Sequence, residues 1–238
     1  MSDVQEVLAL DNLQAWYGES HVLQGVTFRV QAGEAVTLLG RNGAGRTTTL
    51  RAILGLTGRR SGSVRLFGRE TVGLPTHRIA RLGVGYCPEE RGIFASLSCE
   101  ENLRLPPRLS GDDAGLSLEE IYSLFPNLAE RRHSPGMALS GGEQQMLALA
   151  RILRTGARLL LLDEISEGLA PVIVDTLGEA IHALRERGYT IVLVEQNFHF
   201  AAGLCDRLLF MEHGHIIESL TPAQLDDQAD RVARLLSV

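Results

Sequence analysis

The chain has 238 residues, a formal net charge of −6 and an apolar share of 45%, which suits one compact domain, or a core with one inserted subdomain, able to bury a sizeable interior. That acidity argues against nonspecific binding to nucleic acid or to an anionic membrane, and Arg131-Arg132 reads as a solvated pair. No apolar run approaches the roughly 20 residues that cross a bilayer as a helix, the acidic amino terminus lacks the pattern of a secretory signal, and Cys87, Cys99 and Cys205, widely spaced and outside any C-x-x-C, predict reduced buried thiols.

Residues 8–30 alternate apolar and polar side chains around Gly18 and Gly25, predicting two short strands of an antiparallel sheet. A short apolar run over 35–39 is stopped by Gly40, and a periodic segment over 48–56 follows a glycine-rich stretch, giving strand, tight loop and helix. Residues 61–68 predict another strand bounded by turns. From about 100 to 153 the pattern becomes helical, broken by Pro106-Pro107, Gly111 and Pro126, and reads as a helical insertion. Two nearly continuous apolar runs, 159–162 and 190–194, fit strands buried on both faces of a parallel sheet, with a helix over 172–187 as the crossover. The expectation is a single domain over 1–238: an α/β core carrying a small β part and an inserted helical part.

Gly40-Arg41-Asn42-Gly43-Ala44-Gly45-Arg46-Thr47 nearly fits G-x-x-x-x-G-K-[ST], the Walker A pattern. Glycines let the backbone bend so that successive N–H groups point at phosphate oxygens, and the helix that follows adds its positive dipole end. Thr47 would place its hydroxyl on Mg²⁺, and Thr48 would add a donor to the phosphates. Taken alone, the segment reads equally as a glycine-rich turn before a helix. Arg46 stands where the pattern asks for lysine. Arginine keeps the charge and can grip phosphate through two parallel hydrogen bonds, but its planar fork is wider than an ammonium. Nucleotide binding is therefore expected to persist, with hydrolysis slowed by placement at the β/γ-phosphates.

Leu139-Ser140-Gly141-Gly142-Glu143-Gln144-Gln145 heads a helix with a serine and two glycines, a second anion site suited to a γ-phosphate. A plain capping box accounts for Ser140 by itself. Four leucines ending in Asp163-Glu164 make a buried strand that delivers two carboxylates. Asp163 can hold Mg²⁺ through water, and Glu164 can polarise the water that attacks the γ-phosphate.

With these three motifs on one chain, the sequence resembles the ABC ATPase family from about residue 8 to 220, the Leu-Ser-Gly-Gly heptad being that family's signature. The resemblance implies a P-loop NTPase (RecA-like) core with an antiparallel β subdomain and an inserted α-helical subdomain. It also implies ATP and Mg²⁺ as cofactors and a head-to-tail dimer in which Ser140, Gly141 and Gly142 meet the nucleotide held by the other subunit. The second subunit is an identical or related ATPase; two transmembrane permeases and, indirectly, a solute-binding protein complete the expected partners, at the cytoplasmic face of the cell membrane. No nucleic-acid partner is expected.

Further positions follow from the resemblance. Tyr17 would stack on adenine, with core packing as the rival reading and Trp16 as the alternative aromatic. Glu89 stands at the Q-loop position that senses Mg²⁺, and Gln196 at the switch position, where most members carry histidine. The D-loop corresponds to Ser166-Glu167-Gly168-Leu169-Ala170-Pro171, without the usual aspartate. Together, Cys87-Pro88-Glu89-Glu90-Arg91, Gly168-Leu169-Ala170-Pro171 and Val194-Glu195-Gln196-Asn197 are similar to the second ATPase of importers for branched-chain amino acids, amides or urea. Arg46, Cys87 and Ile165, which replaces a proline and its fixed φ, depart from that branch. Catalysis is expected to rest mainly on Glu164, with Gln196 beside it. His199, His213 and His215 read as surface or turn residues in place of a zinc site. The competing readings are a weakly hydrolysing regulatory subunit, an ATPase of another importer class, and an ABC ATPase of translation or chromosome maintenance, whose tandem cassettes or long coiled coils do not fit this length.

Overall fold

The structure, a computed structural model, describes residues 5–109, 115–225, 227 and 231–232; residues 1–4 and Gly111, which enter the expectations above, lie outside them. β1 (Glu6–Tyr17) and β2 (Ser20–Gln31) pair antiparallel as a hairpin, each longer than the short strands expected. Gly18 turns the hairpin at φ 56°, a conformation that costs glycine nothing.

β3 (Ala35–Gly40) leaves the hairpin and feeds the glycine-rich loop into α1 (Arg46–Ile53). The helix begins two residues before the periodic segment and ends earlier, because Gly55 closes it. Gly55 N–H donates to the Ala52 carbonyl and Leu56 N–H to the Arg51 carbonyl, with Gly55 at φ 72°, the geometry of a Schellman stop. β4 (Arg59–Leu66) and β5 (Arg69–Glu70) return to the hairpin and complete a four-stranded sheet in the order β2-β1-β4-β5.

After α2 (Thr76–Ala80) and β6 (Val84–Cys87) come α3 (Cys99–Arg104), α4 (Leu118–Leu124), α5 (Pro126–Glu130) and α6 (Gly141–Leu153). Ser98, Ser117 and Ser140 each cap a helix with a reciprocal capping box. The chain then returns through β7 (Leu159–Asp163), α7 (Pro171–Glu186), β8 (Thr190–Val194), α8 (Phe198–Leu204) and the hairpin of β9 (Arg207–Glu212) and β10 (His215–Leu220). The second sheet has the order β10-β9-β3-β8-β7-β6, parallel from β9 to β6. β9 and β10, which the sequence reading did not extract, extend it beyond the phosphate strand.

Every residue of β7 and β8 is buried. Leu160 and Leu162, with Ile191 and Leu193, face a core shared with α3–α8, whereas Leu159 and Leu161, with Val192 and Val194, face a core shared with α1 and the four-stranded sheet. A strand packed on both faces has no solvent side, so its sequence reads as continuous leucine instead of alternation. Cys87, Cys99 and Cys205 are all buried and free, as expected of reduced core thiols.

Candidate nucleotide site

The 40–47 loop connects the end of β3 to α1 at the carboxyl edge of the parallel strands, where ligands of open α/β sheets gather. Gly45 precedes the helix at φ 107°, and a Cβ there would stand 2.8 Å from Leu23 Cδ2. Glycine is thus favoured by its left-handed conformation, and any larger residue would also have to displace the Leu23 side chain. Beside the loop lies a cavity of about 350 Å³ lined by Asn42, Gly43, Gly45, Arg46, Thr47, Thr48, Glu89, Glu164, Glu167 and Gln196, together with Val22. Gly40 and Ala44 shape the loop from behind: a Cβ on Gly40 would lie 2.3 Å from the Met211 carbonyl oxygen, and Ala44 N–H donates to Arg41.

Asp163 ends β7 directly opposite Thr47, whose hydroxyl donates to its Oδ1 at 2.9 Å. Tyr86 on β6 donates to Oδ2, also at 2.9 Å. Burial pushes the Asp163 carboxyl above its ordinary range, and the two hydroxyl donors oppose that rise. Thr47, Glu89 and Glu164 line the cavity, whereas Asp163, 1% exposed, does not line it and stands against Thr47 with its Oδ1 2.9 Å from the hydroxyl. Among the described residues no cluster of three or more His, Cys, Asp or Glu could hold a metal ion unaided. One carboxylate, one hydroxyl and substrate phosphates fit Mg²⁺, which favours few protein ligands.

Arg46 takes an arrangement that its sequence position did not announce. Its guanidinium is buried, and Nη2 stands 2.9 Å from Glu164 Oε1, in a pair whose side chains are 4% and 9% exposed. Nη1 donates to the Glu195 carbonyl at 2.7 Å, and Nη2 to Asn42 Oδ1 at 3.0 Å. Five donors in a fixed planar fork reach acceptors spread more widely than the three donors of a compact ammonium can span. Gln196 Nε2 donates to Glu164 Oε2 at 2.8 Å, so both carboxylate oxygens of Glu164 are engaged. Glu164 itself sits at φ 49°, left-handed backbone that costs a non-glycine residue on the order of 1–3 kcal/mol and survives only where its surroundings over-determine it. Here its N–H donates to the Val194 carbonyl at 2.9 Å while the side chain is held from two sides. Glu167, against Glu164, has its carboxyl raised by that neighbour's hydrogen bond and charge.

The remaining candidates stand apart from this cavity. Tyr17 ends β1 and is 40% exposed, so it is no core residue, but it does not line the phosphate cavity. Trp16 is committed elsewhere, stacked on His21 at 4.4 Å with the Arg59 guanidinium over its other face. Ser140, Gly141 and Gly142 open α6 outside the cavity wall, with Ser140 accepting from Glu143 N–H as a helix cap. A Cβ on Gly142 would stand 2.6 Å from Ile173 Cγ2, so its glycine is set by packing against α7. His213 lies exposed in the β9–β10 turn.

Tyr86, Glu167 and Glu195 were not anticipated at the site. Tyr86 has no signal in a short apolar strand, since only the register of β6 beside β7 brings it to Asp163. Glu195 was more legible, because a carboxylate directly after a strand buried on both faces needs a dedicated partner.

A glycine-bent loop between a parallel strand and a helix, facing two carboxylates delivered by another strand of the same sheet, defines a P-loop nucleoside triphosphatase. Comparison with known proteins narrows the class. The family profile described as ABC transporter matches residues 23–167. The high-affinity branched-chain amino acid transport ATP-binding protein BraG of Pseudomonas aeruginosa is 42% identical over 220 residues, 92% of this chain and 94% of that protein. The lipopolysaccharide export system ATP-binding protein LptB of Haemophilus influenzae is 34% identical over 236 residues, covering 95% of this chain and 96% of that protein. A solved structure described as an ATP-binding subunit of an ABC transporter aligns with a TM-score of 0.78 at 29% identity, over 98% of this chain and 95% of that one. A dimeric ATP-binding cassette in a post-hydrolysis state with ADP and Pi shares the fold, with a TM-score of 0.78 at 22% identity over 90% of this chain and 98% of that one. The chain belongs to the ABC transporter family; it is an ATP-binding subunit and an ATPase.

Proposed function

We propose that this chain powers an importer for branched-chain amino acids or related small amides. The observation that carries the reading is 42% identity to a branched-chain amino acid transport subunit across nearly the full length of both chains. In this reading the phosphates of ATP lie in the 40–47 loop, their charge met by loop N–H groups, the α1 amino terminus and Arg46. Mg²⁺, when bound, neutralises charge on the β- and γ-phosphates, and the oxygens of Thr47 and Asp163, with Glu89 nearby, would hold it. Glu164 accepts a proton from the attacking water, and Gln196 fixes the orientation of that carboxylate through its 2.8 Å bond. Ser140, Gly141 and Gly142 complete the site of a second, head-to-tail subunit, and Tyr17 stacks on adenine.

The partners in this reading are an identical or related ATPase and two transmembrane permeases at the cytoplasmic face of the membrane, with a solute-binding protein delivering cargo. No helix among the described residues is long and apolar enough to cross a membrane. The similarity to LptB supports a second reading, the ATPase of an export system. Reconstitution with its transmembrane partners decides between them. Uptake of labelled leucine or a small amide that requires ATP and a binding protein supports import, and outward movement of a lipid-linked cargo overturns it.

A further inference from the structure

Glu195 is a buried carboxylate that the hydrolytic reading above leaves without a task. It follows β8 directly, is 1% exposed, and uses both oxygens on one residue. Ser166 N–H donates to Oε1 at 3.1 Å and Ser166 Oγ to Oε2 at 2.8 Å. Its own main chain is anchored on two further sides: the carbonyl accepts from Arg46 Nη1 at 2.7 Å, and the N–H donates to the Leu38 carbonyl of β3 at 3.3 Å. One residue thus ties β3, α1 and β8 to the segment that follows β7.

That segment has little of its own to hold it. Glu164 stands at φ 49°, against the preference of a non-glycine residue. Ile165 has no ring to lock its φ. The bonds inside the turn, Glu167 N–H to Glu164 carbonyl at 3.3 Å and Leu169 N–H to Ser166 carbonyl at 3.4 Å, are both long. Glu164 itself is held by its N–H bond to the Val194 carbonyl and by Arg46 and Gln196 on its carboxylate. What fixes the residues just after it is the Ile165 side chain, 1% exposed in the core, and the two-point grip on Ser166.

We propose that Glu195 is a positioning residue for Glu164, clamping Ser166 through both carboxylate oxygens so that the neighbouring carboxylate is held in its left-handed conformation at the phosphate cavity. The clamp supplies the rigidity that a ring at position 165 would otherwise give. The proposal rests on Glu164 being the carboxylate that activates water, and the experiment separates the two.

Steady-state ATP turnover and ADP affinity are measured on the full-length chain and on Glu195→Gln, Ser166→Ala, the double variant and Glu164→Gln. Glu195→Gln keeps the volume but loses an acceptor, and kcat falls about 10- to 100-fold, as expected when a reacting group is misplaced by a fraction of an ångström. KM and the ADP Kd stay within about threefold, because the substitution leaves the Glu195 carbonyl and its bond to Arg46 in place. Ser166→Ala, which removes one arm, lowers kcat less, and the double variant is no worse than Glu195→Gln because both act through one contact. Parental kcat in Glu195→Gln, or a fall in kcat matched by an equal loss of ADP affinity, overturns the proposal. If Glu195→Gln does not fold, Ser166→Ala decides, and parental turnover there overturns it. Turnover retained in Glu164→Gln overturns the hydrolytic reading itself, whereas turnover lost there and kept in Glu195→Gln overturns this inference alone.

Discussion

The buried pair between Arg46 and Glu164 makes nucleotide affinity depend on a residue that need not touch nucleotide at all. In this conformation the guanidinium is committed to the carboxylate at 2.9 Å, with 4% and 9% of the two side chains exposed. Phosphates that enlist Arg46 must draw it from that partner, so part of their binding energy goes into breaking the pair. A hydrogen bond between charged groups contributes about 1.5–3 kcal/mol net, which corresponds to roughly 10- to 150-fold in affinity. Glu164→Gln removes the charge with almost no change in shape. It is expected to tighten ADP binding by about tenfold or more, and to lower the unfolding temperature without nucleotide by roughly 3–10 °C, because Arg46 loses its counter-charge. Titration calorimetry with ADP, which is not hydrolysed, reads the first quantity, and scanning calorimetry the second. Repeating the pair of measurements in an Arg46→Ala background isolates the contact: there the gain from Glu164→Gln falls below about threefold if it acts through Arg46. An unchanged ADP affinity in the single variant, or an undiminished gain in the Arg46→Ala background, refutes the reasoning.

Three further outcomes follow from the geometry. Asp163→Asn keeps the bond from Thr47 but discards the charge offered to Mg²⁺. The Mg²⁺ concentration giving half-maximal turnover should rise about tenfold or more, against little change in nucleotide affinity without metal. The Glu195 carboxyl is raised to about 7 by burial from its ordinary value of 4.5, so the folded chain binds more protons than the unfolded one between those limits. Its contribution to stability is present at and below the unfolded value and is lost as pH rises through 7, by at most about 3 kcal/mol. Denaturant unfolding at pH 5 and pH 8 should show that part of the difference vanish in Glu195→Gln, and an identical pH dependence in both chains rules it out. Gly142→Ala drives a methyl group to 2.6 Å from Ile173 Cγ2, and should cost about 1–3 kcal/mol, recovered in part by Ile173→Ala, which removes that carbon, as measured by chemical denaturation.

The α/β architecture was legible because β7 and β8 are buried on both faces and so spell themselves in apolar runs, while the glycine loop marks where β3 must end. The helix limits at α1 were less legible, since Gly45 and Gly55 set them and the apolar period does not. The phosphate loop and the two carboxylates could be read from three motifs taken together, and Glu89 and Gln196 only from the resemblance; the cavity is lined by Asn42, Gly43, Gly45, Arg46, Thr47, Thr48, Glu89, Glu164 and Gln196. The partners of those groups could not be read. Tyr86 reaches Asp163 only through strand register, and the commitment of Arg46 to Glu164 depends on where the end of β7 lies beside α1. Sequence names the groups; the distances between elements far apart in the chain decide which of them hold one another.

The alternate leucines of β7 belong to two different interiors, and the strand ends in the residue that faces Thr47. A layer of helices and a layer of antiparallel strands are thus nailed to the same plank, and the plank carries the site at its tip. A ligand seated there grips both layers at once, so nucleotide should lift the melting of the entire chain as one transition, with no part left behind.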